Sequence, residues 1–77
     1  MLIEVFGTGS PEFNRAYDNV KKAAEEMGKA PALKKSTDVE EIAKRKIMVT
    51  PAVFVDGKIK FSGKVPTKEE AKEMLGG

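Results

Sequence analysis

The sequence predicts one α/β domain with the element order β-α-β-α-β-β-α. Three observations predict it. A short apolar run passes through glycines into a segment with a clear helical stripe. Two Thr-x-x-Glu boxes stand where later helices should begin. An Asp-Gly pair separates two strand-like runs near the C-terminal end. At 77 residues the chain holds one domain, residues 1–77. A domain of that size buries only roughly 60% of the surface its unfolded chain exposes.

Each element follows from local pattern. Leu2, Ile3, Val5 and Phe6 form an apolar run from Met1 to Phe6 broken only by Glu4, which suits a strand covered on both faces. Phe13, Ala16, Tyr17, Val20, Ala23, Ala24 and Met27 recur at steps of three and four, which paints one helical face. Ser10 suits the N-cap, Pro11 the first helical position, and Gly28 the left-handed residue after the helix.

Ala30 to Lys35 reads as an edge strand, with Pro31 and Lys34-Lys35 discouraging pairing with other chains. Thr37 to Glu40 reads as a capping box, followed by a short helix whose apolar side is Val39, Ile42 and Ala43. The basic run Lys44-Arg45-Lys46 suits that helix's C-terminus. Ala52 to Val55 is a buried strand, and Asp56-Gly57 predicts a two-residue hairpin turn. Alternation over Lys58 to Ser62 turns Ile59 and Phe61 inward and the lysines outward. Thr67 to Glu70 caps the last helix, buried through Ala71, Met74 and Leu75, with Gly76-Gly77 frayed. With helical connections, the first three strands should run parallel.

Composition excludes several classes. There is no Cys and no His, so neither a disulfide nor a zinc site is expected, and no cofactor or metal is expected. Scattered carboxylates lack a metal-ligand pattern. A formal charge of +2, from 14 basic and 12 acidic residues, is too weak to imply nucleic acid or an anionic membrane. No apolar run approaches the roughly 20 residues of a membrane helix. The N-terminus does not read as a signal peptide, and a cytoplasmic location is expected. Gly7-Thr8-Gly9 is too short for a phosphate-binding loop and lacks its lysine.

Several segments together carry a resemblance: Ile3 to Gly9, Thr50-Pro51-Ala52, Val55-Asp56-Gly57-Lys58, and Ser62 to Glu70. With the element order, the chain resembles the thioredoxin-like superfamily over essentially its whole length. It is most similar to the small glutaredoxin-sized thioredoxins of the redox-active disulfide protein 2 type. The resemblance implies a four-stranded mixed sheet in the order 2-1-3-4. The first and third helices should cover one face and the second helix the other. It also implies thiol-disulfide exchange, in the service of redox homeostasis and electron transfer, by a Cys-x-x-Cys pair at the positions held here by Ser10 and Phe13. Pro51 would be cis and face that pair. Thr50 would offer main-chain hydrogen bonds to an extended substrate.

Both sulfurs are absent. Exchange requires a thiolate. A serine hydroxyl stays protonated near neutral pH, and a phenylalanine ring has no nucleophile. Ser10 as a hydrolytic nucleophile would need a base, and there is no His and no lysine nearby in sequence. Ser10 therefore reads as a helix cap. Phe13 is open to two readings, a core side chain or a partly exposed apolar contact beside Pro51. The leading expectation is a redox-inactive domain that keeps a cleft for an extended peptide or partner protein, formed by Gly9, Pro11, Phe13, Thr50 and Pro51. One alternative is a variant or paralogue of an active oxidoreductase. The other is a self-associating structural domain, a monomer or weak homodimer, sharing apolar surface around Phe13.

Overall fold

The computed structural model describes residues 1–76. Its elements are β1 (Leu2–Phe6), α1 (Pro11–Glu26), β2 (Ala32–Ser36), α2 (Val39–Lys44), β3 (Ala52–Val55), β4 (Lys58–Ser62) and α3 (Lys68–Gly76). The sheet order is β2-β1-β3-β4. β2 therefore sits at an edge, where Lys34 and Lys35 face water. It starts at Ala32, two residues later than the pattern suggested. No helix among the described residues is long and apolar enough to cross a membrane.

One expected direction is corrected. β1 and β2 are parallel, but β3 runs antiparallel to β1, with Phe6 opposite Ala52 and Ile3 opposite Val55. The cause lies in the connection. Six residues of α2 span only about 9 Å, against about 17 Å for a five-residue strand. The loop from Arg45 to Pro51 then brings the chain back to the end of the sheet that β2 had just left.

The main core lies between the sheet and two helices. Ile3, Val5, Val53 and Val55 face Phe13, Ala16, Val20, Ala23 and Ala24 of α1 and Ala71 and Leu75 of α3. Met74 is only partly buried against it. The opposite face is thinner. Phe6, Ala52 and Phe54 are covered by Ile42 and Ile47, and α2 contributes no fully buried residue. The expected apolar side of α2 is thus reduced to Ile42, because Val39 and Ala43 are exposed.

Caps and turns explain the boundaries. Asp56 (φ 50°) and Gly57 (φ 84°) supply the two positive φ values of the hairpin. Asp56 also accepts a hydrogen bond from the Leu2 amide at 2.8 Å. The Thr67–Glu70 box forms reciprocally, at 3.0 and 3.1 Å. The box expected at Thr37 does not form. Asp38 is the cap, accepting from the Glu40 amide at 2.9 Å, while Ser36 Oγ accepts from the Asp38 amide. A bulge in β4 between the partners of Val53 and Phe54 sets Phe61 opposite Val53 and Ile59 opposite Phe54. The bulge turns the two side chains to opposite faces, so Ile59 is half-exposed rather than inward. α3 continues through Gly76, and the fraying expected at Gly77 falls outside the described residues.

Glu26 ties α1 to α3 through Lys68 and Lys72, each at 2.7 Å. Hydrogen bonds from Lys68, then Lys72, lower its pKa to about 2 from the usual 4.5. A carboxylate depressed on folding stabilises above its ordinary pKa and loses that contribution as pH falls through the folded value. The difference in thermal midpoint between the wild type and Glu26→Gln should therefore hold at neutral pH and close between about pH 4.5 and 2. A gap unchanged down to pH 2 would disprove the linkage.

Candidate functional site

Strand register places the site. Phe6 pairs with both Ser36 and Ala52, and Ala52 pairs with Ser62. β1, β2 and β4 therefore end, and β3 begins, at one end of the sheet. The turn Gly7 to Ser10 and the Thr50-Pro51 segment leave neighbouring strands side by side there.

Ser10 has extended backbone (φ −71°, ψ 167°), and its Oγ accepts from the Phe13 amide at 3.3 Å. Its carbonyl takes the first helical bond, from the Asn14 amide. The Glu12 carboxyl is held below its usual range, first by its own backbone amide and then by the Ser10 hydroxyl. A carboxylate so stabilised is a weaker base. The hydroxyl is committed to the helix end.

Phe13 is 3% exposed and belongs to the main core. Its ring lies over Gly7, where an added Cβ would stand 2.8 Å from Phe13 Cγ and 2.9 Å from Phe13 Cβ. This decides between the two readings of Phe13. The ring packs inside as a core side chain, not as the partly exposed apolar contact of the other reading. The missing side chain of Gly7 gives the ring the space it needs, so its burial does not overpack the core.

The Thr50-Pro51 peptide is cis. Pro51 is buried, and its carbonyl accepts from the Gly63 amide at 2.9 Å. The Val49 carbonyl accepts from Ser62 Oγ at 3.3 Å. Thr50 is half-buried, and among the described residues its main chain makes no hydrogen bond. Gly9 and Pro11 are exposed. Of the expected site residues, Gly9 and Pro11 are thus exposed and Thr50 half-buried, while Phe13 and Pro51 are buried.

Two features escaped sequence reasoning. The first is apolar surface at this end of the sheet. Val39 is 71% exposed, and Met48 and Val49, just before Thr50, are 90% and 52% exposed. The second lies under α2. Glu4 is 4% exposed and takes a bidentate contact from Arg45, at 3.1 and 2.7 Å. The Arg45 guanidinium also lies 5.2 Å from the Phe6 ring and 5.3 Å from the Phe54 ring. A lone carboxylate inside an apolar strand was the available signal, because a buried charge requires a partner.

Among the described residues no group of three or more acidic side chains is placed to hold a metal ion. A surface concavity of about 330 Å³ lies elsewhere, between β4 and α3, lined by Lys60, Phe61, Glu70, Glu73 and Met74.

Residues 1–76 match the sequence profile of the family described as "Thioredoxin domain". The chain belongs to the thioredoxin family. It is 51% identical over 75 residues to a protein named "Thioredoxin" from Methanocaldococcus jannaschii, covering 97% of this chain and 86% of that one. It is 31% identical over 75 residues to a "Thioredoxin" from Methanothermobacter thermautotrophicus, covering 97% of each. As a thioredoxin-family domain it keeps the strand–helix corner and the Thr50-Pro51 segment, with oxygen and an aromatic ring where the family resemblance places two sulfurs.

Proposed function

We propose that this thioredoxin-family chain carries out no thiol-disulfide exchange and serves as a binding domain for an extended segment of a partner protein. The carrying observation is the state of the corner: Ser10 Oγ is spent on the α1 cap and Phe13 is buried over Gly7, in a chain without cysteine. Such a corner has no group that can form a mixed disulfide, since that step needs a thiolate. Its docking capacity rests on Thr50, whose main chain is free to add strand-like hydrogen bonds, with Gly9 and Pro11 exposed alongside.

The test is an amide-shift titration of the labelled protein with an array of extended, cysteine-free decapeptides. Binding peptides should shift the amides of Gly9, Val49 and Thr50. Shifts confined to the β4–α3 side, or no shifts with any peptide, would refute the docking site.

A second reading has one observation in its favour, the 51% identity to a protein named "Thioredoxin". On that reading the chain is a variant or paralogue of an active oxidoreductase. S10C/F13C should then reduce insulin disulfides with dithiothreitol as donor. A folded but inert S10C/F13C would count against it.

A further inference from the structure

With no cysteine in the chain, its sulfur chemistry rests on four methionines. Met27 and Met74 pack against the main core, and Met1 is half-exposed at the far end of the sheet. Met48 differs from all three. It is 90% exposed, on the loop that carries the chain from α2 to Thr50. Its neighbour Val49 is anchored, through its carbonyl to Ser62 Oγ and through a side chain that fills the space beside Gly63. The thioether is therefore presented to solvent from a held backbone.

We propose that Met48 is an oxidation site, taking an oxygen atom from hydroperoxides. The O–O bond of hydrogen peroxide breaks, one oxygen forms the S–O bond of methionine sulfoxide, and the other leaves as water. Sulfur loses two electrons and the peroxide gains them. Oxidation of a core methionine makes an apolar packing group polar and disrupts the fold. Met48 has little packing to lose, so the oxidised protein keeps its fold and changes only its surface. That surface adjoins Thr50, so any effect on partner docking rests on the binding reading above. The oxidation itself does not.

The test is peptide mapping by mass spectrometry during a hydrogen peroxide time course on the whole folded chain. Met48 should oxidise several-fold faster than Met27 and Met74, and the singly oxidised protein should keep the thermal midpoint of the reduced one. Met48→Leu should leave only the slower oxidation of half-exposed Met1 and of Met27 and Met74, without shifting that midpoint. Equal rates at Met48, Met27 and Met74, or a fast phase that survives in Met48→Leu, would overturn the assignment. So would loss of the thermal transition on single oxidation at Met48. Failure of the decapeptide titration would leave these readouts unmoved, so the two proposals fail separately.

Discussion

Phe13→Ala should destabilise the protein by about 3–5 kcal/mol, the usual cost of emptying a buried phenylalanine site. The ring is 3% exposed and joins the start of α1 to the end of β1 over Gly7. Gly7→Ala should also destabilise, by about 1–3 kcal/mol, because the new methyl meets the root of the ring rather than a flexible tip. The two changes should not add. In Gly7→Ala/Phe13→Ala the clash with the ring is gone and only the 2.9 Å approach to the Cβ of residue 13 remains, so the double variant should be more stable than the sum of the single losses allows. Urea denaturation of the four proteins measures the coupling. Strict additivity would show that the ring does not occupy the space above Gly7.

Arg45→Ala should cost a comparable amount, about 3–5 kcal/mol, because it leaves Glu4 charged and buried without its partner. The pair is bidentate, and the hydrogen bonds that Arg45 donates to Glu4 are the leading cause that raises the Arg45 pKa above its usual value. α2 has no fully buried side chain, so this contact supplies much of what holds it to the sheet. Hydrogen exchange should show α2 and the loop to Pro51 opening in Arg45→Ala before the main core does. Replacing both residues, as Glu4→Leu/Arg45→Leu, should cost much less than either single loss, since an apolar pair avoids the desolvation of two charges. If Arg45→Ala proves as stable as the wild type, Glu4 is not sealed beneath it.

The elements that local chemistry dictates were legible in the sequence. Ser10, Pro11 and Gly28 frame α1, Asp56-Gly57 makes the hairpin, and Thr67 with Glu70 caps α3, because each depends only on its own backbone or on residues within three positions. Features that depend on distant partners were not. The direction of β3 hinged on how a six-residue helix and its loop return the chain. The outward Ile59 hinged on a bulge, which shifts register without marking the alternation. Glu4 looked like a break in an apolar strand until Arg45, 41 residues on, closed over it. At the site, the cap role of Ser10 followed from its residue type, while the burial of Phe13 required knowing that Gly7 lies beneath the ring.

The most direct test of the account is turnover by the unmodified chain in the insulin-reduction assay with dithiothreitol as donor. A corner built from a capping hydroxyl and a packed ring predicts a rate equal to that of dithiothreitol alone, at every protein concentration tried. A rate that rises in proportion to added protein would contradict it.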